Sequence, residues 1–185
     1  MTPFSPLRRA RGLPRSAWGT AFAHFGIGVT LMGIVVVTAW GSERIAALKP
    51  GGSIEIAHYR LTFDGVFSRP GPNYRDLVGH FTVRRTSGEL IGMMEPSRRT
   101  FPARNMATTE AALMTRGVSQ LYLSLGDPAP DGTVPIRLYF KPQVLMIWLG
   151  ALIMFVGGGL SLSDRRLRIG APRPAKAQPV LQAAE

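Results

Sequence analysis

The sequence contains no cysteine, which excludes disulfides, thiolate nucleophiles and cysteine-ligated metal sites. It is also poor in charge, because only 18% of its 185 residues are charged, against roughly 25% in average soluble domains. The charge that is present is mostly positive, with 22 lysines and arginines against 11 acids and a net charge of +11. A basic nucleic-acid-binding protein would spread that charge over a soluble fold. The positions of the uncharged stretches therefore indicate which class of protein this is.

Charged side chains are absent from two long stretches, residues 16–42 and 142–163. A bilayer core of about 30 Å is crossed by roughly 20 apolar residues of helix, so we predict transmembrane helices over 17–40 and 143–162. The alternative is a pair of buried helices in a soluble protein. Both stretches are apolar all round rather than on one stripe, which favours membrane spans.

The flanks of these spans predict an orientation. Residues 1–16 carry four arginines and no acid, residues 163–185 are also net basic, and residues 41–142 carry a more dilute positive charge. Basic flanks stay in the cytoplasm, so we expect both ends inside and 41–142 outside, in the periplasm of a Gram-negative bacterium. The first apolar stretch exceeds the 7–15 residues of a signal-peptide core, which favours an uncleaved anchor. The tails at 1–16 and 163–185 have too few apolar residues to pack a core, so we expect 163–185 to be disordered. We expect the cations of both tails to contact lipid headgroups rather than nucleic acid.

The external segment alternates apolar and polar residues, a pattern typical of half-buried strands. About six strands are predicted, with a hairpin turn at Thr86–Glu89, a break at Arg69–Asn73 and a short helix near Thr109–Met114. The predicted strands are Ser53–Ala57, Tyr59–Phe63, Leu77–Arg84, Leu90–Met94, Leu121–Leu125 and Val134–Phe140. This spacing predicts a β-rich domain, either a small sandwich or a barrel, between two transmembrane helices.

Three histidines are the main candidates for chemistry, since no nucleophile elbow, phosphate loop or zinc motif is present. His58 and His80 lie beside predicted strands without a second ligand at metal spacing, which indicates ordinary surface positions. His24 lies inside an uncharged span, where an ionisable group is costly and points to function. The alternative is a neutral histidine bonded to a serine or threonine of a neighbouring helix.

The neighbours of His24 are compatible with a bound cofactor. Thr20 and Gly28 lie one helical turn before and after it, and both are small, so a flat cofactor could lie against that face. Neutral imidazole is a common axial ligand of haem iron. A six-coordinate haem b would need a second axial ligand, which would have to come from another chain, since no other histidine lies in a predicted span. Small residues would equally permit plain helix packing.

Several segments, in order, resemble the C-terminal part of the CcmF/NrfE haem lyase family, from about Arg15 to Arg168. They are Arg15–Gly26, Gly71–Tyr74, Glu95–Arg99, Met106–Ala111, Leu121–Gly126, and Lys141–Pro142 through Ile147–Gly150 to Ser163–Arg166. The resemblance implies inner-membrane proteins that attach haem to the Cys-x-x-Cys-His motif of apocytochrome c on the periplasmic side. It also implies a haem chaperone, CcmE, and CcmH-type and CcmI-type subunits as partners. Family members hold a haem b through two transmembrane histidines, and His24 matches the second of them.

Other features of the family are missing from these 185 residues: the tryptophan-rich haem-handling signature, its flanking histidines and the first transmembrane haem histidine. We therefore expect not a complete enzyme but either a naturally split subunit, paired with the rest of the lyase, or a truncated remnant. A non-catalytic, membrane-anchored scaffold or assembly module with a structural His24 is the alternative function. Arg98 and Arg99 could hold haem propionates or an acidic partner, but a solvated strand end is the simpler interpretation, and Gly71–Tyr74 indicates a turn.

Overall fold

A computed structural model describes residues 13–164 of the chain. The chain divides into two compact units. The end unit combines Met1–Ile27 with Ala151–Glu185, and the sandwich unit is Gly28–Gly150. The predicted tails at 1–12 and 165–185 lie outside the described residues.

Two long helices contain the uncharged stretches. Helix α1 is Arg15–Trp40 and helix α2 is Leu145–Leu162, both within two residues of the predicted bounds. Both are long and apolar enough to cross a membrane by length and composition. Their large apolar side chains are largely exposed, as at Phe155 (78%) and Leu162 (82%), so residues 13–164 do not bury them as core helices.

Ten antiparallel strands form two sheets between the helices. In chain order they are β1 Ser42–Leu48, β2 Ser53–Ile56, β3 Tyr59–Pro70, β4 Arg75–Arg85, β5 Leu90–Met94, β6 Ser97–Phe101, β7 Met106–Glu110, β8 Ala112–Arg116, β9 Ser119–Leu125 and β10 Val134–Lys141. One sheet has the order β1-β10-β9-β8, and the other β2-β3-β4-β6-β7 with β5 also paired to β4. A short 3₁₀ helix, Pro102–Arg104, links β6 and β7.

The two sheets face each other across one apolar core. Alternate residues of β3 and β4 supply the core from one side, and alternate residues of β9 and β10 supply it from the other, as the period of two requires. Phe63 and Phe81 stack at its centre with ring centroids 4.9 Å apart, and both are fully buried. The β-rich prediction is therefore confirmed as a sandwich.

The pairing of β1 with β10 fixes where the helices attach. Ser42, one residue after Gly41, lies opposite Phe140, so the strand that follows α1 runs beside the strand that precedes α2. In the sandwich unit, a methyl group added at Gly33 would lie 2.9 Å from the backbone nitrogen of Ile147. The hydroxyl of Thr30 also donates to the carbonyl of Ile147 at 3.4 Å.

Two parts of the strand prediction are wrong. Ten strands replace about six, because β1, β6, β7 and β8 were not predicted. The short helix predicted near Thr109–Met114 is instead the end of β7 and most of β8, separated at Ala111, where the chain changes sheet. The helix-favouring run Ala-Ala-Leu-Met is held extended by its pairing with β9, a case of tertiary contacts overriding local propensity.

Candidate functional site

His24 is exposed on the surface of α1 within the end unit. Its Nδ1 lies 2.8 Å from the carbonyl oxygen of Thr20, one turn earlier on the same helix. Because a carbonyl only accepts, the neutral ring must carry its proton on Nδ1 in this contact. Among the described residues, the ring orientation is therefore set by a carbonyl of the same helix.

This hydrogen bond leaves Nε2 with a lone pair. Metal-ligating histidines typically donate one ring N–H to a carbonyl or carboxylate and bind metal through the other nitrogen. The protonation pattern at His24 is the one that an axial haem ligand needs.

The exposed surface of α1 near His24 in the end unit is largely apolar. Thr20, one turn before His24, is exposed. On the same part of the helix, Trp18, Ala21, Phe22 and Phe25 line a shallow groove of about 160 Å³. Ligand pockets usually enclose about 300–1,000 Å³, so this groove, which His24 does not line, does not hold a haem by itself. What the described residues of this part of α1 offer a haem is one axial ligand and an exposed apolar surface.

The opposite side of α1 in the end unit packs against α2 through small residues. A methyl group added at Gly19 would lie 2.5 Å from the backbone nitrogen of Ser161, and one added at Gly157 would lie 2.6 Å from that of Ala23. Such close backbone approach is typical of membrane helix pairs. His24 is one position beyond Ala23 and is therefore rotated away from this contact.

Asp164 is a further residue of the end unit that the sequence pattern did not single out. Its carboxylate accepts from the backbone N–H of Ser16 at 3.0 Å, and only 7% of the residue is exposed. An acid at the start of a helix satisfies an otherwise unpaired N–H and complements the helix dipole. Asp164 therefore joins the first turn of α1 to the segment that follows α2.

The other two histidines lie in the sandwich unit. His58 is exposed in the turn between β2 and β3, with its ring 4.2 Å from that of Tyr59. His80 packs edge-on against Phe67 at 4.6 Å, and its Nε2 lies 3.9 Å from a carboxylate oxygen of Glu95. Among residues 13–164, no three His, Cys, Asp or Glu side chains are grouped closely enough to hold a metal ion.

Arg98 and Arg99 each bind a carboxylate of this chain. Arg98 donates to both oxygens of Asp127 at 2.9 and 3.0 Å, and Arg99 donates to both oxygens of Asp76 at 2.9 and 3.2 Å. The ring of Tyr74 lies 4.1 Å from the Arg99 guanidinium carbon. The hydrogen bonds to Asp76 raise the pKa of Arg99 above its ordinary value. Both guanidinium groups are thus occupied within the chain, and their geometry does not support propionate binding.

Comparison with known proteins identifies the family. The family description "CcmF C-terminal beta-sandwich" matches residues 39–142, which is more than half of the chain and includes every strand. The chain belongs to the CcmF family. The cytochrome c-type biogenesis protein CycK of Bradyrhizobium diazoefficiens is 56% identical over 179 residues, covering 97% of this chain and 27% of that protein. The cytochrome c-type biogenesis protein CcmF of Escherichia coli K12 is 37% identical over 164 residues, covering 88% of this chain and 25% of that protein.

The fold has a match among solved structures. The cytochrome c haem lyase CcmF superposes with a TM-score of 0.66 at 20% identity, covering 80% of this chain and 25% of that chain. At this identity the likeness establishes the fold alone. The chain spans about a quarter of the length of the CcmF relatives that it matches.

Proposed function

We propose that this chain is the C-terminal portion of a CcmF-type haem lyase and that His24 is an axial ligand of a haem b in the membrane. The carrying observation is the exposed imidazole of His24, whose Nδ1 is held by the Thr20 carbonyl while Nε2 is free to bind a metal. Membership of a family that includes cytochrome c biogenesis proteins supports the assignment.

His24 supplies one ligand, and the second must come from the rest of the lyase, either another chain or the missing N-terminal part. Thr20 holds the imidazole in one orientation, and the exposed apolar surface of this part of α1 would exclude water from one side of a haem held there. The haem b, when bound, supplies a redox-active iron whose potential depends on its two axial ligands.

The proposed setting is the bacterial inner membrane, with α1 and α2 as spans, both chain ends in the cytoplasm and the sandwich in the periplasm. This arrangement is supported by the exposed apolar surfaces of both helices and by the basic charge of both chain ends. In it the sandwich faces the compartment where haem is attached to apocytochrome c. Its proposed partners are the remaining part of the lyase, the CcmH-type and CcmI-type subunits and the haem chaperone CcmE.

The ligand assignment is tested by co-expressing this chain with the N-terminal part of a CcmF relative and purifying the complex. We expect a reduced b-type optical spectrum that His24→Ala largely abolishes. His58→Ala is the matched control, since His58 lies in an exposed turn outside both helices, and it should leave the spectrum unchanged. A complex that forms without a b-type signal, or a His24→Ala complex with full signal, would show that His24 is not a ligand.

The second candidate function is a non-catalytic scaffold or assembly module with a structural His24. Its supporting observation is that Arg98 and Arg99 are both paired within the sandwich, which leaves a self-contained domain on a two-helix anchor. In the same experiment this candidate predicts that the complex assembles equally well with and without the imidazole, and that its spectrum does not depend on His24.

A further inference from the structure

One end of the sandwich, where α1 and α2 attach, carries an unusual set of side chains. We call it the helix-side rim and define it by Arg84, Leu90, Arg116, Val118 and Lys141. Arg84, Leu90, Arg116 and Lys141 lie at the strand ends nearest the helices, because β4, β8 and β10 end there and β5 begins there. Val118 lies in the turn from β8 to β9 at the same end. The backbone N–H of Leu145, the first residue of α2, donates to the carbonyl of Val118 at 3.1 Å, which places this rim against the helix start.

The three cations of the rim lack acidic partners within residues 13–164. Arg84 donates to the carbonyl of Gly88 at 3.1 Å, and Arg116 donates to that of Ile91. The ammonium of Lys141 lies over the rings of Tyr122 and Tyr139, at 5.4 and 5.7 Å. Most other cations of the sandwich, by contrast, are in salt bridges, with the pairs 55–60, 69–95, 85–89, 98–127, 76–99 and 43–137.

The rim also exposes apolar groups. Leu90, the first residue of β5 after its hairpin turn, is 58% exposed, and Val118, in the turn between β8 and β9, is 43% exposed, although polar residues are usual in turns. In the same unit Trp40 and Trp148, near the adjoining ends of the two helices, are 66% and 72% exposed. Tryptophan and tyrosine beside lysine and arginine are typical of side chains that lie at the headgroup level of a bilayer.

We propose that the helix-side rim binds anionic phospholipid headgroups, with Arg84, Arg116 and Lys141 contacting phosphates and Val118 and Leu90 inserted among them. This rests on the proposed membrane insertion of α1 and α2. The unpaired positive charge and its position at the helix attachment favour a lipid surface over a protein partner, which would bury the apolar tips against complementary side chains.

The opposite end of the sandwich supplies matched controls. Lys49 and Arg75 are exposed cations, also outside the salt bridges within the described part of the chain, but they lie at the strand ends farthest from the helices. The variants R116Q/K141Q and K49Q/R75Q therefore remove the same charge from the two ends. Since the chain has no cysteine, single fluorophores can be attached at Val118→Cys on the rim, Pro130→Cys on the opposite end and Phe155→Cys on α2.

The experiment places the full-length chain in phosphatidylcholine nanodiscs with and without phosphatidylglycerol, each containing a headgroup-attached nitroxide quencher. We expect quenching at position 118 to increase when phosphatidylglycerol is added. This increase should be lost in R116Q/K141Q and kept in K49Q/R75Q, while position 130 stays unquenched in both lipids. Equal quenching at position 118 with and without phosphatidylglycerol would overturn the proposal, because attachment to the inserted helices alone would bring position 118 near the membrane. An increase that persists in R116Q/K141Q would also overturn it.

A second arm separates this inference from the membrane proposal beneath it. An acyl-chain quencher should act on the label at position 155 if α2 is inserted. Quenching at 155 without an anionic effect at 118 overturns the headgroup proposal alone, whereas no quenching at 155 overturns membrane insertion. The rest of the lyase can also be added to the nanodiscs. If the label at position 118 changes its accessibility to the quencher only then, and equally in both lipids, the rim binds a protein partner and the proposal is overturned.

Discussion

Arg98 and Arg99 are adjacent in sequence, yet their partners differ greatly in burial. The side chain of Asp76, the partner of Arg99, is 6% exposed, whereas that of Asp127, the partner of Arg98, is 72% exposed. An exposed pair gains little because water already solvates both charges. Removing the partner of a buried carboxylate leaves an uncompensated charge, which costs far more.

We therefore expect Arg99→Leu to lower the free energy of unfolding of the sandwich markedly, because it leaves the buried carboxylate of Asp76 without its guanidinium partner. Arg98→Leu, the matched control, should lower it by less than about 1 kcal/mol. Urea unfolding of the full-length chain in detergent, followed by near-ultraviolet circular dichroism, measures both, because all four tyrosines lie in the sandwich unit. Equal losses for the two variants would contradict the assignment of the cost to Asp76.

The sequence alone singles out His24 as a candidate ligand but does not predict these ion pairs, and the reason is physical. A histidine among uncharged residues stands out by the cost of its own burial in lipid, which needs no knowledge of the fold. Arg98 and Asp127 are 29 positions apart, and Arg99 and Asp76 are 23 apart, so each pair exists only through the strand order. Asp164 could not be assigned to Ser16 for the same reason, since 148 positions separate them.

At the scale of elements, the close contact of α1 with α2 in the end unit depends on single glycines. Gly157 faces the backbone of Ala23 and Gly19, whereas a methyl group added at the adjacent Gly158 would meet no atom within 4 Å. We expect Gly157→Val to separate the two helix segments and Gly158→Val to leave them in place, because only the first forces a backbone contact apart.

Spin labels at Leu13→Cys and Ser163→Cys, which flank the two helices, report this separation by electron double resonance. The parent and Gly158→Val should give one narrow distance distribution, and Gly157→Val a longer or broader one. An unchanged distribution in Gly157→Val would mean that the small residues do not set the helix contact.

The strands differ in how visible they are in the sequence. Strand β9 alternates intermediate and fully buried positions, so its period of two is clear, and β5 was predicted with its bounds Leu90–Met94. β7 and β8 lie at sheet edges and expose most of their residues, which weakens the alternation. β6 contains Arg98 and Arg99, so its sequence is too polar to be predicted as a strand. Its pairing with β4 and β7 is stabilised by ion pairs as well as by backbone hydrogen bonds, and the sequence alone does not show these ion pairs.

At the scale of the whole chain, the sandwich joins both helices at one end. β1 follows α1 and β10 precedes α2, and the two strands are antiparallel neighbours from Ser42–Phe140 to Leu48–Val134. Attachment at the same end of the same sheet lets both helices enter one face of a bilayer. With the basic charge at both ends of the chain, this supports the proposed orientation, in which these ends lie in the cytoplasm and the sandwich lies outside.

We expect this orientation to be visible by labelling single cysteines in spheroplasts with a membrane-impermeant maleimide. Pro130→Cys, in the exposed loop between β9 and β10, should react in intact spheroplasts, because that loop would lie outside. Leu13→Cys, exposed before α1, should react only after the membrane is permeabilised. The chain without an introduced cysteine is a control free of background, since it contains none. Reaction at Leu13→Cys before permeabilisation and at Pro130→Cys only after it would place the sandwich in the cytoplasm, away from the compartment that the proposed function requires. Reaction at both sites before permeabilisation would show that α1 does not span the membrane.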